Sequence, residues 1–380
     1  MKKILFYAAN GVGLGHLKRT CLVAEELKSK DIKIILVTPA CSPYIFGKFF
    51  HYLIELSPLS DELLSNPSKT LTTRLSNGKK LTQVFKKFNP DLVVADFYLA
   101  SPFTFSAFAT AIEQFPIKSV FIWRLGDKKS ICYDFKNEIN KLDYFQKIIL
   151  PHSLEELEYL LPNNLLKKIK NNQKFGICGL IYQKLNKRKI SECRCKYKIS
   201  SEDFLITLTL GGGGKLKAGQ CDAPDKIIKN FSAIYSKLAD KIPNLKAIII
   251  TGPYFKNLER KSSLGLKFVR FEKNLLELIK LSKIIISPAG YNICNEFIQA
   301  KTPAILIPLR RGNNEQFERA DYLRKKGVVK VFNSDSQEEF LDLIMNCKEN
   351  LNKMKSNFKN FSRRKQGNNK AAKIILNLLK

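Results

Sequence analysis

The chain has 380 residues, and its 65 Lys and Arg against 34 Asp and Glu give a formal net charge of +31 at neutral pH. With 44% hydrophobic and only 26% charged residues, the composition is typical of a packed globular protein and excludes a chain that is disordered throughout. The length predicts two domains, and no transmembrane segment is predicted because no apolar run approaches the roughly 18 residues that span a bilayer.

The first half of the chain alternates short apolar runs with amphipathic stretches. Met1–Tyr7 resembles the start of a signal peptide, but its apolar run stops at Asn10-Gly11 without a small-residue cleavage site, which indicates a first buried strand. The predicted strands of this half are Lys3–Ala8, Ile32–Val37, Leu92–Ala95, Ser119–Trp123 and Lys147–Leu150. Helical spacing fills the gaps between them, as in Leu17–Lys28.

The second half repeats this alternation. Its predicted strands are Phe204–Leu210, Ala247–Thr251, Lys267–Phe271, Ile284–Ser287, Ala304–Pro308 and Val328–Phe332. Its predicted helices are Pro224–Leu238, Leu275–Leu281, Asn292–Ala300, Glu315–Lys326 and Gln337–Met345. Apolar strands that alternate with helices indicate parallel sheets covered on both faces. We therefore expect an α/β fold with two Rossmann-like, doubly wound domains, over residues 1–180 and 199–345.

The segments outside these domains are less regular. Gly176–Lys198 is predicted to be a solvated linker, because clusters of basic residues break its apolar pattern. Cys193 and Cys195 are not expected to bind zinc, since no matching Cys or His pair supplies the other two ligands. Residues 346–380 are predicted to form amphipathic helices that pack back on the domains. The nine Cys lack the spacing of a disulfide framework, which favours reduced thiols and a cytoplasmic location.

Two explanations remain open for the positive charge. One is the Lys-rich bias of an A/T-rich genome, which needs no ligand. The other is attraction of polyanions such as nucleic acid, anionic phospholipid or phosphorylated substrates. The basic residues are dispersed and no nucleic-acid-binding motif is recognised, so nucleic acid is not expected as a partner.

A glycine-rich loop follows the first predicted strand, with Gly11, Gly13 and Gly15 at alternating positions before His16. These glycines let the backbone approach a ligand, and the next helix offers free N–H groups to an anion. The third glycine comes one place too early for a dinucleotide fingerprint and the Walker spacing is absent, so neither a dehydrogenase nor an ATPase is expected. At a helix N-terminus the dipole lowers the pKa of His16 and favours a proton acceptor, with a structural cap as the alternative.

Two carboxylates follow predicted strands of the same domain. Asp96 comes directly after Leu92–Ala95, and Asp127 comes after Trp123-Arg124. Each lies where an acceptor group could meet it, and each could instead cap the helix that follows.

A second glycine loop opens the other half of the chain. Gly211, Gly212, Gly213 and Gly214 end its first predicted strand. Four consecutive glycines are entropically unfavourable, so they favour a place where phosphate oxygens contact main-chain N–H groups. Because ligands bind at the carboxyl ends of parallel strands, a crevice is expected there, with a flexible surface turn as the alternative.

A third motif begins with Ser287-Pro288-Ala289-Gly290-Tyr291-Asn292, which predicts a strand, a glycine turn and a helix. A strand between Pro303 and Pro308 follows, and then Arg310-Arg311-Gly312-Asn313-Asn314-Glu315-Gln316. Together with the loop before His16, these motifs resemble the family 28 glycosyltransferases, whose type member adds N-acetylglucosamine to the lipid-linked peptidoglycan precursor. They are most similar to predicted bacterial glycosyltransferases that open with a G-x-G-H-x-x-R loop, and the resemblance implies the GT-B arrangement of two Rossmann-like domains.

The resemblance also implies roles for single residues. Those implied to bind a nucleotide-sugar donor are Gly211, Gly212, Gly213 and Gly214 at the diphosphate, Phe271 and Glu272 at the base, Gly290 and Asn292 in the turn, Glu296 at the ribose, and Glu315 and Gln316 at the sugar hydroxyls. Those placed on the acceptor side are Gly13, Gly15, Arg19, Asp96 and Asp127, with His16 as the catalytic base. An exposed helix carboxylate is the alternative for Glu296.

The expected function is therefore an inverting transfer of a hexosamine-type sugar from a UDP-GlcNAc-like donor to an unknown, lipid-linked or cell-envelope acceptor. No Asp-x-Asp motif is present, so no metal is expected, and the nucleotide sugar serves as co-substrate without a further cofactor. The alternative is a nucleotide-sugar hydrolase with water as acceptor, because such hydrolases carry a similar loop. A sugar 2-epimerase shares the fold, but no matching cluster of catalytic acids is found.

A cytoplasmic protein that is peripheral on the inner face of the plasma membrane is expected. Tyr44-Ile45-Phe46-Gly47-Lys48-Phe49-Phe50 combines apolar and basic residues, which suits docking on an anionic membrane surface. An ordinary buried helix is the alternative for this segment.

Overall fold

The computed structural model describes residues 1–9, 14–28, 31–39, 50–58, 66–213, 223–253, 255, 262, 264–310, 314–361 and 365–379. The chain divides into two compact units. Met1–Tyr182 forms the first unit together with Arg364–Lys380, and Gln183–Arg363 forms the second.

The first unit is built on a parallel sheet of seven strands in the order β3-β2-β1-β4-β5-β6-β7. The strands are β1 Lys2–Ala8, β2 Ile32–Thr38, β3 Tyr52–Glu55, β4 Leu92–Asp96, β5 Ser119–Ile122, β6 Lys147–Leu150 and β7 Phe175–Ile177. Its helices are α1 Gly15–Glu26, α2 Pro67–Phe88, α3 Pro102–Gln114, α4 Lys128–Asn137, α5 Leu154–Leu160 and α6 Asn163–Asn171, with a 3₁₀ turn at Ile139–Tyr144.

The second unit contains a parallel sheet of six strands in the order β10-β9-β8-β11-β12-β13. The strands are β8 Phe204–Thr209, β9 Leu245–Ile250, β10 Leu266–Val269, β11 Ile284–Ser287, β12 Ala304–Leu306 and β13 Val329–Val331. Its helices are α7 Lys187–Lys196, α8 Ala223–Lys241, α9 Leu275–Leu281, α10 Tyr291–Ala300, α11 Glu315–Lys325, α12 Gln337–Glu349 and α13 Leu351–Ser356, with a 3₁₀ turn at Asn357–Phe361. The last helix, α14 Asn368–Leu379, lies in the first unit.

Each sheet is buried on both faces, as the apolar strands predict. In β1, Leu5 and Tyr7 belong to one buried cluster, while Ile4 and Phe6 belong to another. Because successive side chains of a strand point to opposite faces, this alternation places helices on both sides of the sheet. The α/β fold with two Rossmann-like domains is confirmed.

Both sheets reverse their strand order at one place. In the first unit the order reverses between β1 and β4, and in the second between β8 and β11. Ligands of such sheets bind outside the carboxyl ends of the strands at this reversal. The end of β1 and Asp96 flank the first reversal, whereas Gly211–Gly213 and Gly290 flank the second.

Two details differ from the expectations for the chain connections. The segment Gly176–Lys198 is not a solvated linker, because it contains the end of β7 and all of α7, and Cys193 and Tyr197 are buried. These two side chains join an apolar cluster with Leu205 and Leu278, which holds α7 against the second sheet. The short strands β3 and β7 lie at the two edges of the first sheet and were not predicted.

Candidate active site

Helix α1 is the element that follows β1 in the chain, and Asp96 ends the neighbouring strand β4. Ala8 and Asp96 are register partners in the sheet, so Asp96 lies beside the end of β1. His16 and Arg19 are three residues apart on α1, which places them on the same face of the helix. Gly13 lies outside the described residues, and Gly15 is the first residue of α1.

Both side chains of α1 contact Asp96. The Arg19 guanidinium donates from Nε to Oδ2 at 2.8 Å and from Nη2 to Oδ1 at 2.5 Å. The His16 Nδ1 lies 2.6 Å from Oδ1 of the same carboxylate. The side chains of Arg19 and Asp96 are 1% exposed, whereas that of His16 is 21% exposed and reaches the surface of the unit.

The protonation of this triad follows from burial and charge. Burial raises the pKa of Asp96, but the charge of Arg19 and the contact with His16 outweigh it and hold that pKa below its ordinary value. For His16, burial lowers the pKa and outweighs the opposing effect of Asp96. The imidazole is therefore neutral at pH 7, with its Nδ1 proton donated to an ionised carboxylate and its Nε2 able to accept a proton. Burial is the dominant cause of the lowered pKa of His16.

Asp96 and Asp127 differ in what they contact. The carboxylate of Asp96 contacts Arg19 and His16, and the N-cap of the helix that follows Asp96 is Ser101. Asp127 is the N-cap of α4 and accepts from the backbone N–H of Ser130 at 2.6 Å. A capping interaction of this kind stabilises a helix by about 1 kcal/mol, so Asp127 has a structural task in addition to the predicted acceptor-side role.

In the second unit, the glycine loop after β8 packs against the loop after β9. Gly211 and Gly213 have φ of +66° and +72°, and Gly252 has φ of +91°. A Cβ built on Gly252 would lie 2.5 Å from the carbonyl oxygen of Gly211. Glycine is required at 213 and 252 by the close approach of the two backbones, and it is favoured at 211 by the positive φ alone. Gly212 belongs to the same loop, and Gly214 lies outside the described residues.

The turn between β11 and α10 contains a glycine that its own backbone does not require. Gly290 has φ −68° and ψ 148°, which any residue adopts, and a Cβ there would make only ordinary contact at 3.7 Å with Ile293. Asn292 is half-buried in the first turn of α10, and Glu296 lies further along it with only 2% of its surface exposed. Glu296 is therefore not an exposed helix carboxylate.

Glu315 and Gln316 begin α11, and both are held by this unit. Gln316 accepts through Oε1 from the backbone N–H of Leu309 at 3.0 Å. Glu315 accepts through Oε1 from Nη2 of Arg319 at 2.6 Å. The other terminal nitrogen of Arg319, Nη1, donates to the carbonyl oxygen of Ala289 at 2.7 Å. Sequence reasoning did not identify Arg319, which joins the turn before Gly290 to the start of α11.

The side chain of Glu272 is engaged within the unit. It accepts from Nζ of Lys196 and the hydroxyl of Tyr197, each at 2.5 Å, and from the backbone N–H of Asn274 at 2.8 Å. Burial raises the pKa of Glu272, but these hydrogen bonds outweigh it and keep that pKa below its ordinary value. The carboxylate therefore ties α7 to the loop after β10, and the predicted contact with a base would fall to the backbone of Phe271 and Glu272.

Comparison with known proteins gives the class of the chain. Residues 223–376 match the model of the glycosyltransferase family 28 C-terminal domain. The UDP-N-acetylglucosamine--N-acetylmuramyl-(pentapeptide) pyrophosphoryl-undecaprenol N-acetylglucosamine transferase of Borreliella burgdorferi is 28% identical over 418 residues, which cover 100% of this chain and 98% of that relative. The resemblance to family 28 is thereby confirmed, and the class is that of a GT-B glycosyltransferase, an enzyme that transfers hexosyl groups.

Solved structures share the fold at low sequence identity. The glycosyltransferase SnogD from Streptomyces nogalater has a TM-score of 0.65 at 14% identity and covers 99% of this chain and 100% of its own. A UDP-GlcNAc 2-epimerase from Neisseria meningitidis, bound to UDP-GlcNAc, has a TM-score of 0.62 at 17% identity and covers 100% of this chain and 99% of its own. Transferases and epimerases therefore share this fold, and the choice between them rests on the family match and on the site.

Proposed function

We propose that the protein transfers a hexosamine-type sugar from a UDP-linked donor to a lipid-linked acceptor of the cell envelope, with inversion and without a metal. The relative from Borreliella burgdorferi, similar along its whole length, is named for such a transfer from UDP-N-acetylglucosamine to an undecaprenol-linked acceptor. The observation that carries the proposal is the buried Asp96 that holds Nδ1 of a neutral, partly exposed His16 at the reversal of the first sheet.

His16 is the proposed base. Its Nε2 takes the proton of the acceptor hydroxyl while the hydroxyl oxygen forms a bond to the anomeric carbon of the donor sugar. The bond between that carbon and the diphosphate breaks, and its electron pair leaves with the nucleoside diphosphate. Asp96 fixes the tautomer of His16 and stabilises the imidazolium that forms. A single displacement of this kind inverts the configuration at the anomeric carbon.

The second unit is the proposed donor site. The backbone N–H groups at the N-terminus of a helix such as α10 stabilise a leaving diphosphate without a metal ion. Gly290 supports this role, because neither its backbone angles nor its neighbours among the described residues require glycine, whereas a closely approaching ligand does. The buried carboxylate of Glu296 is suited to accept charge-assisted hydrogen bonds from two ribose hydroxyls.

Helix α2 supports an anionic membrane surface as a partner. It carries six basic residues and no acidic one: Lys69, Arg74, Lys79, Lys80, Lys86 and Lys87. Leu71 and Leu75, one turn apart, are 47% and 54% exposed, and the buried residues of the helix begin only at Asn77. An exposed apolar pair surrounded by lysines is the pattern that binds anionic lipid.

The segment Tyr44–Phe50, predicted for the same task, lies outside the described residues except for Phe50. The ring of Phe50 packs edge-on against Phe6, with centroids 6.3 Å apart. Among the described residues, no helix is both long enough and apolar enough to cross a membrane.

Incubation of the purified protein with a panel of nucleotide sugars, with and without a bacterial lipid extract, tests the proposal. Mass spectrometry would follow nucleotide release and the fate of the sugar. We expect release of UDP from UDP-GlcNAc to require the extract and the sugar to appear on a lipid. Equal release without extract, with free sugar as product, would contradict the transfer and assign the protein as a hydrolase.

A further inference from the structure

Arg319 connects two segments of the second unit that carry different parts of the proposed donor site. Its Nη1 donates to the carbonyl oxygen of Ala289, which precedes Gly290 in the turn after β11. Its Nη2 donates to Glu315 in the first turn of α11. The guanidinium carbon also lies 5.8 Å from the ring centroid of Tyr291, the first residue of α10.

The surroundings make this contact stronger than a surface ion pair. The side chains of Arg319 and Glu315 are 11% and 12% exposed, so water screens the pair only weakly. The two hydrogen bonds, 2.7 and 2.6 Å long, come from two different nitrogens of one planar group. Such a fork fixes the position of one acceptor relative to the other, because the guanidinium does not bend.

We propose that Arg319 is a positioning residue for the donor sugar: it fixes the Glu315 carboxylate relative to the Ala289–Gly290 turn. The inference rests on the proposed function, in which the turn faces the nucleotide, and on the resemblance, which implies that Glu315 faces the sugar. With Arg319 in place, binding of the nucleotide presents Glu315 at a set distance from the sugar hydroxyls. Without it, Glu315 keeps its helix but loses the bond that sets its direction.

Lysine cannot replace this arginine fully. A lysine ammonium is a single point of charge, so it can keep the ion pair with Glu315 but not the second bond to Ala289 in the same geometry. We therefore expect Arg319→Lys to behave between the natural protein and Arg319→Ala.

The test measures the affinity of UDP and of UDP-GlcNAc separately by isothermal titration calorimetry. In Arg319→Ala we expect UDP-GlcNAc affinity to fall by about tenfold, the size of one lost charge-assisted bond, while UDP affinity falls by less than threefold. Guanidinium ion added at low millimolar concentration should restore part of the loss in Arg319→Ala. The thermal unfolding midpoint of each variant is measured alongside.

Arg324 provides the matched control. It lies on the same helix, also pairs with an acidic residue, Asp321, and is 56% exposed. Arg324→Ala should change neither affinity.

Three results would overturn the inference. One is unchanged affinity for UDP-GlcNAc in Arg319→Ala, and another is an equal loss for UDP and UDP-GlcNAc, which would make Arg319 a general support of the fold. A natural protein that binds neither UDP nor UDP-GlcNAc would instead remove the proposed function, and this inference with it. The behaviour of the natural protein thus separates the two failures.

Discussion

The carboxylate of Asp96 is shared between a buried arginine and the candidate base, so a change at this residue acts on both stability and protonation. In Asp96→Asn, Arg19 would remain 1% exposed without its counter-charge. Removing one partner of a buried ion pair costs about 3–5 kcal/mol. We expect the free energy of unfolding in urea to fall by that order and turnover to fall with it, because the amide no longer fixes the tautomer of His16.

The pH dependence of turnover gives a second test of how Asp96 acts on His16. Because burial lowers the pKa of His16, the base stays neutral below pH 6.5, and the acid limb of kcat/KM should have its midpoint below that value. Asp96 opposes this shift, so any residual activity of Asp96→Asn should show a limb moved to still lower pH.

The control for both measurements is Asp91, which lies just before β4. Its side chain is 35% exposed and pairs with Lys2. Asp91→Asn should leave the limb in place, and a limb at or above pH 6.5 in the natural protein would contradict the assignment of His16.

Gly252 is the residue at which a single methyl group should disturb the second glycine loop. An alanine there would adopt φ near +91°, which is unfavourable by about 1–2 kcal/mol, and its Cβ would lie 2.5 Å from the carbonyl oxygen of Gly211. We expect Gly252→Ala to weaken UDP binding by tenfold or more and to lower the thermal midpoint.

Gly78 is the matched control for this substitution. It lies inside α2, and a Cβ there would find its nearest neighbour at 3.6 Å, in Thr110. Gly78→Ala should stabilise the helix by up to about 1 kcal/mol without changing UDP binding. Undiminished UDP affinity in Gly252→Ala would show that the packing of the two loops does not shape the donor site.

At the scale of elements, buried strands were predicted best, because an apolar run of four to seven residues between turns is compatible with few other secondary structures. The edge strand β3, Tyr52–Glu55, escaped prediction because none of its four residues is fully buried. Helix α7 escaped because its sequence is dominated by basic residues, and only Cys193 among its ten residues is buried. Periodicity detects an element through its buried face, so elements with little buried surface give little signal.

Helix α14 allows a test of how a distant segment completes the first unit. It packs on α1, and Ala371, Ala372 and Ile375 belong to the buried cluster that also holds Ile4 and Phe6. Ile375→Ala should lower the free energy of unfolding by about 2–5 kcal/mol, since a fully buried side chain is lost and a cavity remains. The exposed neighbour Lys373, changed to alanine, is the control and should alter stability by less than about 0.5 kcal/mol.

Urea denaturation followed by circular dichroism would measure both α14 variants. An equal, small effect of Ile375→Ala and Lys373→Ala would mean that α14 does not contribute to the core of the first unit.

At the scale of the whole molecule, the sequence located the candidate site but not the contacts between its side chains. The motifs lie at the carboxyl ends of strands, and sheet topology alone brings such ends to one edge. Asp96 ends β4 and Asp127 follows β5, and only the register of β1 with β4 places Asp96 beside α1. Gly252 and Arg319 belong to no recognised motif, because each contacts a segment that is distant in the sequence. Side-chain partners across distant segments therefore required the structure.

The net charge of +31 is a property of the whole chain, and a membrane-binding experiment tests whether this charge has a function. We expect the protein to co-float with vesicles of phosphatidylglycerol and phosphatidylcholine at low salt, and to be released as salt screens the lysines of α2. Leu71→Ser combined with Leu75→Ser should reduce this binding by more than tenfold, because burying each leucine in the interface contributes roughly 1.5–3 kcal/mol. Leu154→Ser is the control, since Leu154 is 50% exposed but begins a helix with Glu155 and Glu156. If binding requires anionic lipid but not these leucines, the docking surface lies elsewhere. If the protein does not bind the vesicles at low salt, the positive charge is explained by genomic bias.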